Sequence, residues 1–174
     1  MDEVLDVTPG RCPECGAGVS GGRAACQGLF DEVLAREFGD YRYAREHRLM
    51  VDAYSLQHPD EYMRSGKSYV AHLTGVYGVF EDLAAAEVNQ AVQQWLNGPR
   101  ALDRPGQPAP GRRGALTIEH VHAASEPEEH LRRVREWARS TWEAWGDYHV
   151  LALRWIDEAT GARAGLEGAR EQRK

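Results

Sequence analysis

The chain has 174 residues, of which 42% are hydrophobic and 28% are charged, and its formal net charge is -6. A chain of this length is expected to form one domain with a single hydrophobic core. The acidic balance argues against a general nucleic-acid-binding protein, which would carry a basic surplus to offset phosphate charge. Residues 1–8 lack the cationic start of a secretory signal, and no apolar run approaches the roughly 20 residues of a membrane span. These features predict a soluble, cytoplasmic protein.

Four helices are predicted in the first half of the chain, because apolar residues recur there every three to four positions. They cover residues 27–39, 43–58, 65–83 and 84–96. Gly39 and Pro59 mark two of the helix ends, since glycine favours the left-handed residue that follows a helix and proline interrupts the hydrogen-bond ladder.

The second half begins with a segment of different composition. Residues 98–114 contain four prolines, four glycines and four arginines, which predicts a flexible, locally basic loop over 98–116. A short helix is favoured over a strand for 117–124. Ser125 and Glu128 form the pattern of a capping box, and it opens one long helix that continues to Ile156.

No pair of strands is recognisable, so the predicted fold is an all-α helical bundle with an N-terminal zinc-knuckle loop. We expect residues 1–26 to form the metal-knuckle loop and residues 27–160 the bundle. Residues 161–174 are expected to be a frayed tail, and the whole chain is expected to be one domain.

Three cysteines carry the clearest chemical signal. Cys12 and Cys15 are separated by two residues in the segment CPECG, and Cys26 follows after a glycine-rich return. An odd number of cysteines does not make a disulfide framework, whereas a CPxCG segment is typical of a zinc knuckle. Structural zinc is tetrahedral, so three cysteines require a fourth ligand.

The fourth ligand is predicted to be a histidine on the second helix. If the first two helices form an antiparallel hairpin, Cys26 lies opposite residues in the mid-fifties, and His58 is the histidine at that end. His47 is eleven residues earlier, about 16 Å along a helix, which is too far for the same ion. His72 and His149 remain as alternatives. The predicted metal ligands are therefore Cys12, Cys15, Cys26 and His58.

A second polar group is predicted between the helices. The hairpin of the second and third helices brings Asp52 opposite His72, a pairing suited to acid–base chemistry or to orienting a metal ligand. His149 lies on the apolar stripe of the long helix and should point inward. These three residues are the catalytic candidates, although Asp52 would also pair with Arg48 one turn earlier. His120, His122 and His130 are expected to be solvated.

Several segments resemble an uncharacterised bacterial domain-of-unknown-function family. They are CPECG, HRLMVDAYSLQHP from His47 to Pro59, KSYVAHL from Lys67 to Leu73 and WARSTWEAWGDYH from Trp137 to His149. The resemblance implies that Cys12, Cys15, Cys26, His47, Asp52, His58 and His72 belong to the family's motif, and it implies no reaction. A looser similarity in fold is to DinB-like helical bundles, which hold a catalytic metal with three histidines. Cysteines at the metal depart from that pattern.

Three functional hypotheses follow. The first is a zinc-binding helical protein in which the ion has a structural role. The second is a metal-dependent hydrolase or transferase that uses the pocket of Asp52, His72 and His149. The third is an interaction module formed by the knuckle and the arginine-bearing loop. The expected partners are zinc and a small-molecule ligand, and a homodimer is a further option. Binding to nucleic acid or to a membrane is not expected.

Overall fold

In a computed structural model of the chain, residues 10–161 are described, and every regular element among them is helical. The helices are α1 (Gly22–Gly39), α2 (His47–Gln57), α3 (Pro59–Tyr62), α4 (Gly66–Phe80), α5 (Ala85–Asn97), α6 (Ile118–His122), α7 (Pro127–Ala144) and α8 (His149–Thr160). Short 3-10 turns, Ala44–Glu46 and Gly146–Tyr148, precede α2 and α8. The all-α fold class is confirmed. The predicted tail falls outside the described residues from position 162 onward.

Helix α1 begins earlier than the sequence pattern indicated. It starts at Gly22, so Cys26 lies inside the helix rather than in the preceding loop. Gly21 and Gly22 have φ angles of 105° and 61°, in the left-handed region that glycine tolerates without steric cost. This turn redirects the chain from the knuckle into α1.

The bundle is organised around α2, which packs against α7 on one side and α4 on the other. Helix α4 also packs against α5 and α8, and α5 packs against α8, which completes a second group of helices. Helix α1 joins the bundle through α6, which lies against α7. Trp137 of α7 is fully buried, and its indole N–H donates to Gln57 Oε1 at 3.0 Å. Among residues 10–161, no helix is both long and apolar enough to cross a membrane.

The single long helix predicted from Ser125 to Ile156 is wrong, because the chain bends between α7 and α8. The bend lets the two helices cover different neighbours, since α7 packs on α2 whereas α8 packs on α4 and α5. His149 stabilises the bend by stacking on Trp142, with ring centroids 3.3 Å apart. Its Nε2 also donates to the Trp142 carbonyl oxygen at 2.9 Å, which satisfies a carbonyl at the end of α7.

The segment between α5 and α6 has no regular secondary structure, but part of it is buried in the bundle. The Arg113 side chain is completely buried, and its Nε donates to the Pro108 carbonyl at 3.1 Å. Farther along, Gln57 Nε2 donates to the carbonyl of Leu116 at 2.8 Å. The segment is therefore anchored in the bundle at Arg113, while the flexibility of 98–116 stays a prediction.

Candidate metal centre

Four side chains meet at the junction of the N-terminal segment, α1 and the end of α2. They are Cys12, Cys15, Cys26 and His58, all buried, and their sulfur and nitrogen atoms lie within 4.8 Å of one another. The Sγ atoms of Cys15 and Cys26 are 3.7 Å apart. His58 Nε2 lies 3.6 Å from Cys12 Sγ and 3.5 Å from Cys26 Sγ. The four residues proposed as ligands from the sequence are thus brought together.

The knuckle is held in shape by its own backbone. The Cys12 amide donates to the carbonyl of Ala17 at 2.8 Å, and the Gly16 amide donates to the carbonyl of Cys12 at 2.9 Å. Gly16 has a φ angle of 83°, which the sharp turn after Cys15 requires. The Ala17 amide points at Cys15 Sγ at 3.5 Å. Backbone donors of this kind stabilise negative charge on a thiolate.

His58 stands where α2 ends, and its ring orientation is fixed by a hydrogen bond. Nδ1 donates to the carbonyl oxygen of Tyr54 at 2.9 Å, one turn earlier. This bond assigns the proton to Nδ1 and leaves the Nε2 lone pair directed at the cysteines. Metal-binding histidines commonly use their second nitrogen in this way.

The three thiols share their charge unequally. Hydrogen bonds from Cys15 and then Cys26 lower the pKa of Cys12 far below its ordinary value. The pKa of Cys15 is raised strongly, chiefly because its proton is engaged by Cys12, and the same cause raises the pKa of Cys26 to about 12. Buried thiols at this separation cannot all ionise unless a cation compensates their charge. The cluster therefore has the electrostatics of a cation site.

The distances between the side chains fit a tetrahedral ion. Bonds of about 2.3 Å to sulfur and about 2.0 Å to nitrogen place neighbouring tetrahedral ligands roughly 3.5–3.8 Å apart. The measured separations between sulfur and sulfur (3.7 Å) and between sulfur and nitrogen (3.5 and 3.6 Å) fall in that range. The residues present therefore fit a four-coordinate metal.

A polar network surrounds the cluster on the side of α1. The Tyr54 hydroxyl lies 3.7 Å from Cys26 Sγ and accepts a hydrogen bond from Arg23 Nη1 at 2.9 Å. Burial is the main reason that the pKa of Tyr54 is raised, so its proton is retained. Arg23 also pairs with Glu61 and with Glu14, the latter at 3.2 Å. The network places cationic and donor groups next to a site that would carry three thiolates.

The catalytic candidates are divided between two places. His72 Nδ1 donates to Asp52 Oδ1 at 2.8 Å, which is the expected pairing. Arg48 Nε also donates to both carboxylate oxygens of Asp52, at 3.0 and 2.8 Å, and Arg48 Nη2 donates to the carbonyl of Ala71 at 2.9 Å. This cluster joins α2 to α4. His149 instead caps α7, where its hydrogen-bond and stacking partner is Trp142 rather than Asp52 or His72.

A second histidine cluster was missed by the sequence analysis. Glu37 is buried in α1, with Oε1 accepting from His130 Nε2 at 3.0 Å and Oε2 accepting from His47 Nδ1 at 2.6 Å. The expectation that His130 is solvated is wrong, because it is completely buried. The sequence contains one signal for this burial. His130 directly precedes Leu131 and lies with it on the buried side of α7.

These observations define a small all-α protein with a buried cluster of three cysteines and one histidine. Over residues 10–146 the chain matches the model of a family of unknown function, DUF5946, and it belongs to that family. The match contains all four residues of the cluster, as well as Asp52 and His72. No curated protein and no solved structure matches the chain.

Proposed function

We propose that the chain binds one zinc ion through Cys12, Cys15, Cys26 and His58, and that the ion has a structural role. The observation that carries the proposal is the convergence of four buried donor atoms within 4.8 Å at distances suited to tetrahedral coordination. Three thiolates and one imidazole form one of the usual ligand sets of structural zinc. Soft sulfur ligands disfavour magnesium, calcium and manganese, which prefer oxygen.

A structural role is supported by where the ligands come from. Cys12 and Cys15 belong to a segment without helix or strand, Cys26 to α1 and His58 to the end of α2. One ion would tie three parts of the chain together at a point where all four ligands are buried. A four-ligand protein set also leaves no position for the activated water that a hydrolytic zinc requires.

The primary test is elemental analysis of the purified chain combined with X-ray absorption at the zinc edge. We expect about one zinc per chain with three sulfur neighbours and one nitrogen neighbour. Iron as the bound metal would contradict the assignment of zinc. An oxygen neighbour in place of nitrogen would contradict the structural role, because it would indicate an open position.

The second test separates a structural ion from an incidental one. In Cys12→Ser we expect loss of zinc and a fall in the unfolding temperature of more than 10 °C, since metal binding is part of the folding free energy of such sites. His122→Ala is the control for a substitution outside the cluster, because His122 is partly exposed and pairs with Glu32 on the surface. A metal-free Cys12→Ser protein as stable as the parent would refute the proposal.

A further inference from the structure

An open cleft lies between α2, α4 and the start of α5, away from the cysteine cluster. Its volume is about 290 Å³, near the lower end of the range of small-molecule pockets. Leu49, Val79, Leu83 and Val88 supply its apolar walls. The Val79 side chain keeps 41% of its surface exposed there, so part of this apolar surface has no cover within the described chain.

The charged groups that line the cleft are mostly neutralised by neighbours. Asp52 is bonded to both Arg48 and His72, as described above. Glu46 pairs with Arg135 of α7 at 2.6 Å. Two carboxylates and one arginine of the lining are therefore already engaged in short ion pairs.

Arg45 is the exception among these charged lining residues. Its side chain is 67% exposed, and its acidic partner Glu128 is 3.9 Å away and itself 89% exposed. A contact of this length between exposed groups contributes little. Arg45 also lines a neighbouring depression with Glu126 and Glu128, so this weakly engaged cation stands at the rim of the apolar cleft rather than inside it.

We propose that this cleft binds a small monoanionic amphipathic molecule, with an unbranched or cyclic apolar body inside and a carboxylate at Arg45. A cationic head group would meet the guanidinium groups of Arg45 and Arg48, which line the same cleft. A phosphate group is disfavoured, because one available arginine at an exposed edge does not offer the several convergent donors that phosphate sites use. The volume limits the ligand to a body of roughly ten heavy atoms.

The experiment uses octanoate as the probe, with octanamide and octylammonium as neutral and cationic probes of similar size. Each is titrated into the zinc-loaded chain below its micelle concentration and followed by methyl NMR of the valines. We expect saturable shifts at Val79 and Val88 with octanoate, at least fivefold weaker binding of octanamide and none of octylammonium. Equal affinity for the three probes, or octanoate shifts confined to other parts of the molecule, would overturn the proposal.

Two pairs of variants complete the test. Arg45→Gln should weaken octanoate binding about fivefold, whereas Arg154→Gln should not, although Arg154 is similarly exposed and has an acidic partner at 3.7 Å. Val79→Glu should abolish binding by placing a carboxylate in the wall, and the exposed Val150→Glu is its control. Undiminished octanoate binding in both Arg45→Gln and Val79→Glu would refute the site, and the zinc content of each variant shows independently whether the metal centre is intact.

Discussion

Arg113 Nη1 lies 3.3 Å from Glu14 Oε2, although the two residues are 99 positions apart in the sequence. Glu14 stands between the first two cysteines, and Arg113 belongs to the irregular segment before α6. The same Nη1 atom donates to the carbonyl of Gln57, next to His58, at 3.2 Å. A single buried guanidinium thus connects the knuckle to the end of α2.

Replacement of Arg113 by Met should destabilise this junction. Its loss leaves the Glu14 carboxylate with Arg23 alone and the Gln57 carbonyl without this donor, so we expect a cost of about 2–3 kcal/mol in the free energy of unfolding. Urea unfolding of the zinc-saturated protein measures this cost. The neighbouring Arg112→Met is the control, because Arg112 is exposed, and an equal small effect in both variants would contradict the role of Arg113.

Glu37→Gln should lower the free energy of unfolding, because the buried Glu37 carboxylate accepts hydrogen bonds from two histidines, the buried His130 and the partly exposed His47. The amide lacks the negative charge and has one acceptor oxygen instead of two, so His130 or His47 loses its partner. We expect a loss of about 2–4 kcal/mol, compared with less than about 0.5 kcal/mol for Glu32→Gln. Glu32 lies on the same helix and also bonds a histidine, but its side chain is 67% exposed. Equal effects in thermal unfolding would show that burial does not matter here.

Gly75→Ala should separate α2 from α4. A Cβ at this position would clash with Asp52 Oδ2, which cannot move freely because Arg48 and His72 hold it. We expect a destabilisation of about 1–3 kcal/mol. Gly28→Ala is the control within α1, where a Cβ meets nothing within 4 Å and better helix propensity should stabilise by about 0.5–1 kcal/mol. A stabilised Gly75→Ala protein in chemical denaturation would disprove the close packing.

Asp60 should contribute stability that depends on pH. The pKa of the Asp60 carboxyl lies below its ordinary value of 3.8, chiefly because Arg104 donates a hydrogen bond to it and secondly because Gln107 does. The ion pair therefore stabilises the folded state above pH 3.8 and loses this effect as the pH falls through the lowered pKa. Asp60→Asn should cost less than about 1 kcal/mol at neutral pH, because the carboxylate is 55% exposed. The stability difference from the parent should shrink below pH 3.8, and a constant difference down to pH 2.5 would contradict this. The exposed Asp103→Asn is the control.

The proposed binding of zinc should release protons from the cluster. Because the pKa of Cys12 is lowered while those of Cys15 and Cys26 are raised, we expect one thiolate shared within the metal-free cluster near pH 7.5. Three thiolates then require release of about two protons for each zinc bound. Calorimetric titrations in buffers of different ionisation enthalpy measure this number. Release of less than half a proton would mean that the thiols are already ionised without metal.

The hairpin of the first two helices could be predicted because local signals mark its ends. The helical periodicity and Pro59 place Cys26 opposite the mid-fifties, and the stacking of Phe30 on Tyr54 at 3.8 Å gives the register that brings His58 to the cysteines. The same reasoning paired Asp52 with His72. Sequence spacing is informative here because neighbouring helices are joined by short connections.

The misses concern contacts between distant parts of the chain. Glu37 and His130 are 93 positions apart, and no local pattern indicates that their side chains form a hydrogen bond inside the bundle. Arg113 was assigned to a flexible, locally basic loop because composition reflects only average polarity, whereas one guanidinium with several partners can be buried. The bend after α7 was missed because the apolar period continues through Trp145 into α8 while the packing partner changes.

The position of the four cysteine and histidine residues also bears on the order of folding during synthesis. All four lie within residues 12–58, so they emerge from the ribosome before α4 to α8 do. The loop between Cys26 and His58 spans only 32 positions, whereas Glu37 and His130 are 93 positions apart. Closing the shorter loop therefore costs less chain entropy. An ion captured by the nascent chain would therefore fix the register of α1 against α2 first and present a preformed template to the later helices.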